Sequence, residues 1–291
     1  VPAISVIIPC YRSSATLARC LDALSRQTFG DFEVILVDST PGDDAVLRIA
    51  NQFPGVRSLH SPFRLTAHEA RNVGAGLASG ELLVFTDPDM TADPRWLELL
   101  VSAHRDGRTV VAGGVGCPRG YWSRSVHFVK YGWWLPGGEL SARPQLASGN
   151  FSLGRTLFRD AGGFPSRYWA GDTELSERLS GMGHVLWLLP AAMTTHLDVA
   201  GPREFLRERF ERGYDFGRAR LGRQGWPRSV CVVRLLAMPA IPAVMLARSG
   251  RYAAQSRQLP AWAASLPVVL AGLLSWSLGE ARAHWEGVWR Q

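Results

Sequence analysis

The chain is expected to fold as an α/β domain on a largely parallel sheet, followed by an apolar helical region. Three observations predict this. The run Leu82-Leu83-Val84-Phe85-Thr86-Asp87-Pro88-Asp89 reads as an apolar strand ending on two carboxylates one residue apart. A strand that apolar is buried on both faces, as in a parallel sheet. Strand and helix patterns alternate through the first hundred residues, which implies βαβ units with right-handed crossovers. Beyond residue 229 the chain turns apolar, and 259–279 carries no charge over 21 positions, enough for the roughly 20 residues of a spanning helix.

The elements follow in order. Residues 3–9 read as a buried strand, and Ser13 or Ser14 is placed to cap a helix carrying Leu17, Leu21 and Leu24 on one face. Glu33 to Val37 is a second strand ending at Asp38, followed by a short helix near 44–52 and a strand near 56–60. Thr66 to Ser79 predicts an alanine-rich helix with Gly80 as its stop, then the 81–86 strand and a helix over 94–105. Thr109 to Val115 predicts a strand, and the Gly-, Pro- and Trp-rich stretch 116–146 a loop or lid. A helix near 155–161, one opened by Asp172 and a last strand over 185–189 lead to Thr194-Thr195-His196.

Pro9-Cys10-Tyr11, Asp38 and Asp87-x-Asp89 therefore stand at strand carboxyl ends. Open α/β sheets bind ligands in the crevice at that edge. Two acids there suit a hard divalent cation, which Mg²⁺ or Mn²⁺ sites share with substrate phosphates.

The net charge is +7 and Lys130 is the only lysine, so the basic character is arginine. Arginine suits phosphate and carboxylate recognition, although genome base composition gives the same bias. No zinc spacing, basic reading helix or RNP-type strand accompanies the charge, so no nucleic-acid partner is expected. Cys10, Cys20, Cys117 and Cys231 form no C-x-x-C pair, and a reducing compartment is the expectation.

Several stretches together resemble the family 2 glycosyltransferases of the GT-A fold over residues 3–200. They are Ser5-Val6-Ile7-Ile8-Pro9-Cys10-Tyr11, Gln27-Thr28-Phe29, Glu33-Val34-Ile35-Leu36-Val37-Asp38, Ala70-Arg71-Asn72-Val73-Gly74, Asp87-Pro88-Asp89, Gly162-Gly163-Phe164 and Asp172-Thr173-Glu174-Leu175-Ser176. The resemblance implies a Rossmann-like nucleotide-binding half, a mixed central sheet and inverting sugar transfer from a nucleotide-sugar donor to an acceptor hydroxyl. By the same resemblance, Pro9, Tyr11 and Asp38 hold base and ribose, and Arg71 lies where the family contacts base and phosphates. Asp89 holds the Mn²⁺ or Mg²⁺ that bridges the diphosphate, Asp87 lies nearer ribose or metal, and His196 matches a third metal ligand. Asp172 matches the catalytic base. The chain departs from the family by carrying Gly171 where Glu is common, and Glu174 is the second candidate base.

Each residue also has a structural role open to it. Asp38 and Asp172 are good helix or turn caps, the Asp-Pro-Asp run suits a turn, Arg71 suits a solvated helix face, and His196 a satisfied histidine at a strand end. Trp133 and Trp134 suit a sugar, a lipid or a core.

The expected organisation is a catalytic domain over 1–202, an Arg-rich amphipathic linker helix over 203–229 and an apolar helical membrane-associated region over 230–291. Residues 203–228 hold eight arginines against four acids, which suits an anionic lipid surface. The expected setting is the cytoplasmic membrane face, with a UDP-sugar as donor and a lipid-linked or glycan acceptor. Two rival readings are a catalytically silent nucleotide-sugar-binding or scaffold subunit and a sugar nucleotidyltransferase. The second wants a Gly-rich loop after the first strand, which Pro9-Cys10-Tyr11-Arg12 does not provide.

Overall fold

A computed structural model of the protein describes residues 2–165, 171–197, 201–224 and 226–289. They form two compact units, the first built from Val1–Gly116, Pro136–Arg167 and Gly171–Leu197, the second from Cys117–Leu135 and the chain beyond Leu197.

The first unit is a mixed sheet between two helical layers. Its strands are β1 (Ile4–Cys10), β2 (Phe32–Asp38), β3 (Val56–His60), β4 (Leu82–Thr86), β5 (Met90–Ala92), β6 (Val110–Gly116), β7 (Ser141–Ala142), β8 (Asn150–Gly154) and β9 (Leu186–His196). The spatial order is β3-β2-β1-β4-β8-β6-β9-β5, with β7 also on β9. The pairs β1–β2, β1–β4, β2–β3 and β6–β9 are parallel. Strand β8 runs antiparallel to both β4 and β6, and β5 antiparallel to β9. As a result the carboxyl ends of β1, β2, β4, β6 and β9 and the starts of β5 and β8 share one edge. That edge gathers Cys10, Asp38, Thr86, Asn150, Met90 and His196. Pro9, which has no N–H to donate, stands beyond the last β1–β4 pair, Ile7 with Phe85.

Alternation along β1 separates two cores. Ile4, Val6 and Ile8 face α1 (Leu17–Ser25), α2 (Ala45–Ala50) and α4 (Trp96–Arg105) through Leu21, Val46, Trp96 and Leu100. Ile7 faces α3 (Ala67–Leu77), α6 (Arg155–Asp160) and α7 (Gly171–Gly181) through Ala70, Phe158, Leu175 and Leu179. Helix α3 starts on a capping box: Thr66 Oγ1 accepts from Glu69 N at 3.2 Å, and Thr66 N donates to Glu69 Oε2 at 2.7 Å.

Several local expectations change. The α1 helix is not capped by a serine hydroxyl; the Ser13 carbonyl accepts from Thr16 and Leu17, and its hydroxyl is turned to Tyr11. The helix before β4 ends at Leu77, and Gly80 instead answers a close approach, since a Cβ there would lie 2.6 Å from the Ile4 carbonyl carbon. The last strand runs on to His196, and β5 and β8 were not expected. Residues 116–146 are not a plain loop: they contain α5 (Tyr121–Tyr131), whose Val126 and Phe128 are buried. Flanking Gly, Pro and Trp hide that short apolar face in the sequence.

The second unit contains α5 with α8 (Pro202–Gln224), α9 (Arg228–Ala237), a 3₁₀ turn over Met238–Ala240, α10 (Ile241–Gln255), α11 (Leu259–Ala264) and α12 (Leu266–Trp289). The uncharged 259–279 run is therefore two helices, because it breaks at Ser265 between α11 and α12. The Arg-rich stretch expected as one helix over 203–229 falls on α8, which ends at Gln224, and on the start of α9 at Arg228; α8 packs along α12 through small residues. Gly213 lies against the Trp276 carbonyl and Gly279 against the Phe210 carbonyl, with no room for a Cβ at either. Arg209 is buried over the Trp276 ring at 5.2 Å, and Arg220 pairs with buried Glu280 at 3.3 Å. Trp134 is buried, while Trp133 carries the Arg248 guanidinium 4.1 Å from its ring centre. Among the described residues one stretch, Arg228–Gln255, is long and apolar enough to cross a membrane by length and composition.

Candidate active site

Of the residues picked from the sequence, Pro9, Tyr11, Asp38, Arg71, Asp87, Asp89 and His196 lie in two groups at the carboxyl edge of the sheet, and Asp172 belongs to neither. The first lies at the ends of β1, β2 and β3. Asp38 is fully buried; its Oδ1 accepts from Thr40 Oγ1 at 2.8 Å and Thr40 N at 3.2 Å, and its Oδ2 lies 2.9 Å from His60 Nδ1. Thr40 Oγ1 in turn accepts from Arg12 N at 2.7 Å, which fixes the turn after β1. Arg12 has a φ of 53°, an uncommon conformation for a non-glycine residue. That turn carries the Tyr11 ring, with the guanidinium groups of Arg64 and Arg12 at 4.6 Å and 5.3 Å from its centre. Pro9 is buried in β1 one residue from Cys10.

The second group lies past β4. Arg71, almost wholly buried in α3, donates to Asp87 Oδ1, and its buried Nε has no hydrogen-bond partner among the described residues. Asp89 Oδ2 lies 3.1 Å from His196 Nε2. Asp87 and Asp89 each keep 27% of the side chain exposed. Burial pushes the Asp87 carboxyl above its usual range; Arg71 and His196 pull it down, and the neighbouring charge of Asp89 raises it further. Gly149 leaves space for this carboxylate, because a Cβ there would come within 2.5 Å of Asp87 Oδ2. The two groups are neighbours: the buried Cys10 thiol is raised first by burial and then by Cys20, Asp38 and Asp87. Cys20 responds similarly to burial, Asp89 and Asp87. Thiols held protonated this way are inert.

Asn150 holds the second group in place and is not visible as a site residue in the sequence. Fully buried at the start of β8, it accepts from Trp96 Nε1 at 2.9 Å and donates to Gly114 O and Ala192 O at 3.0 Å. It thereby secures β6 and β9, and β9 carries His196. His60 and His68 are not visible there either, since each meets its partner, Asp38 or Phe164, from another element, and Thr40 owes its role to Arg12 N as well as to Asp38.

Asp172 lies in the first turn of α7, not at its cap, and its Oδ1 accepts from Thr173 N at 2.9 Å. Glu174 shares that turn. Asn72 is committed to structure: its amide donates to Phe164 O at 2.7 Å and accepts from Phe164 N at 2.9 Å.

The donor set at the second group tests the implied metal. Among the described residues no three His, Cys, Asp or Glu side chains form a ready-made metal cluster. One Asp87 oxygen is occupied by Arg71, so Asp89 and His196 are the pair in contact. Few protein ligands, mostly carboxylate, fit an ion that takes its remaining ligands from water and phosphate, and an imidazole favours Mn²⁺ over Mg²⁺.

The family model for "Glycosyl transferase family 2" matches residues 5–167, more than half of the chain. The chain belongs to the family 2 glycosyltransferases. Its similarity to validoxylamine A glucosyltransferase of Streptomyces hygroscopicus subsp. jinggangensis is 35% identity over 132 residues, covering 44% of this chain and 31% of that protein. A PGL/p-HBAD biosynthesis glycosyltransferase of Mycobacterium bovis is 41% identical over 92 residues, 30% of this chain and 36% of its own. The chain thus spans about a third of the length of these relatives. Among solved structures, the mannosyltransferase PcManGT from Pyrobaculum calidifontis, in complex with GDP-Man and Mn²⁺, superposes with a TM-score of 0.64 at 20% identity. The match covers 98% of this chain and 88% of that one. That likeness identifies the GT-A fold in this family 2 member.

Proposed function

We propose that this family 2 member is an inverting glycosyltransferase that moves a sugar from a nucleoside-diphosphate sugar, with UDP as the nucleotide, to an acceptor hydroxyl. One observation carries the reading: Asp87, held by Arg71, and Asp89, against His196, stand on the same sheet edge as buried Asp38. Tyr11 supplies a flat face for the nucleoside, and Asp38 orients Thr40 and His60 around it. Arg71 is too buried to reach the donor and acts by fixing Asp87. Asp89 and His196 would hold Mn²⁺ or Mg²⁺, which supplies charge stabilisation for the departing diphosphate. Asp172 takes the acceptor proton as the acceptor oxygen bonds to the anomeric carbon and the carbon–oxygen bond to the diphosphate breaks. A base so placed contributes about 10²–10⁴-fold.

The acceptor is proposed to be lipid-linked or a glycan at the cytoplasmic face of a membrane. This is supported by the Arg228–Gln255 stretch, of whose most apolar window only 11% is buried, with Val233 64% and Leu236 77% exposed. Exposed apolar surface on this scale marks an interaction site.

The test is release of nucleotide from a panel of UDP- and GDP-sugars with and without Mn²⁺, with the anomeric configuration of the product read by NMR. Mn²⁺-dependent release from a UDP-sugar, inverted product and a loss of about 10²–10⁴-fold in Asp172→Asn are expected. Donor binding by calorimetry without turnover on any donor would give the silent binding subunit instead. Co-flotation of the full chain with anionic vesicles tests the membrane assignment.

A further inference from the structure

The residue before Asp172 is a glycine, and the structure shows what occupies the space where a side chain would stand. A Cβ on Gly171 would lie 2.5 Å from His68 Nδ1 and 2.7 Å from its Cε1. A side chain at 171 is therefore excluded for want of space. The imidazole of buried His68, from the first turn of α3, is packed directly on the backbone that begins α7 and carries Asp172.

His68 is itself held firmly. Its ring stacks on Phe164 at 5.0 Å with planes 21° apart. Phe164 is clamped by both amide atoms of Asn72. The Gly162-Gly163 turn before it accepts two hydrogen bonds from Arg178, at Ala161 O and Gly163 O. Arg178 lies in the last turn of α7, so the chain of contacts returns to the helix where it began. The start of α7 is fixed by His68 and its end by Arg178, and both meet at the Phe164 turn. Phe164 also lies under the Arg71 guanidinium at 5.8 Å, on the helix that holds Asp87.

We propose that His68 is a positioning residue for the Asp172 carboxylate: its ring fills the place of a side chain at 171 and sets the first turn of α7 relative to the Arg71–Asp87 pair. It touches no reacting atom. The inference rests on Asp172 being the base. A carboxylate displaced by a fraction of an ångström loses rate while donor affinity is kept.

The experiment is a double-mutant cycle between positions 68 and 171, read as Mn²⁺-dependent hydrolysis of UDP-glucose, with GDP-mannose as second probe, and as thermal midpoint. His68→Ala is expected to lower kcat about ten- to a hundred-fold with donor KM changed by less than about two-fold. His68→Phe, which keeps a flat ring on Phe164, recovers most of the loss. Gly171→Ala is harmful alone and adds nothing in the His68→Ala background, because the new methyl enters vacated space. Wild-type kcat in His68→Ala with Asp172→Asn inactive would overturn the proposal, and so would strict additivity of the two substitutions. Asp172→Asn with full turnover would sink the base reading itself. The thermal cycle tells that result apart, because coupling between 68 and 171 would survive it.

Discussion

The two ends of the ligand edge are built on opposite principles. At the Asp38 end the carboxylate is sealed, with both oxygens bonded to Thr40 and His60. At the Asp87–Asp89 end the acids lie against Arg71 and His196, and each keeps 27% of its side chain exposed. A fully satisfied buried carboxylate acts on its surroundings by holding them still. A part-exposed one at a rim stays within reach of solvent and of whatever solvent carries. The difference teaches that strand-end aspartates of identical sequence appearance settle into different surroundings, one sealed inside the frame and the others open at the rim. The cost of the rim position is visible at Asp87, which burial pushes up even against Arg71 and His196.

The largest expected effect falls on the open end. Asp89→Ala should remove Mn²⁺-dependent donor binding and lower turnover by at least about 10²–10³-fold, while the thermal midpoint moves by less than about 2 °C. Unchanged metal-dependent binding, measured by calorimetry, would break the assignment. Asp38→Ala should do the reverse, costing about 2–4 kcal/mol of stability as Thr40 and His60 lose a buried partner. Chemical denaturation reads this, and a neutral result would mean the sealed end is no frame. Arg71→Met should fall between the two, since Asp87 then stands partly buried without its cation; about 2–3 kcal/mol together with weakened donor binding is expected.

The smallest effect lies at the amino end of β2, away from the ligand edge. Glu33 is partly buried, which alone would raise its pKa, but hydrogen bonds from Ser79, Ser5 and Arg57 bring it down to about 2. A carboxylate with a depressed folded pKa contributes stability that is present above its unfolded value and lost as pH falls through the folded one. The advantage of wild type over Glu33→Gln should therefore be full above about pH 4.5 and fade toward pH 2, at about 1–2 kcal/mol after screening. Thermal midpoints across that window measure it, and a pH-independent difference would show that Glu33 contributes through packing alone.

Much of the edge was legible because strand ends announce themselves. A run such as Leu82 to Thr86 has to be buried, and whatever follows it has to emerge at the sheet margin. Asp38, Asp87 and Asp89 are found that way, whereas His196 is singled out only by the resemblance to the family. The sequence gives no comparable signal for Asn150, whose four partners include Trp96, Gly114 and Ala192, each distant along the chain. Nor does it reveal that Arg71 turns inward, since an arginine on an amphipathic helix reads as solvated until a carboxylate from another strand meets it. The 259–279 run misled for the opposite reason: absence of charge marks an apolar environment but is silent on where a helix breaks, and Ser265 divides it.

Local sequence determined what each segment is: its hydrophobic period, its cap at Thr66, and the acids its strands deliver. Tertiary structure decided what those acids do. Pairing Asp87 with Arg71, Asp89 with His196 and Gly171 with His68 depends on sheet order and helix docking. Those contacts join residues 16, 107 and 103 positions apart, and no local propensity encodes a partner that far along the chain.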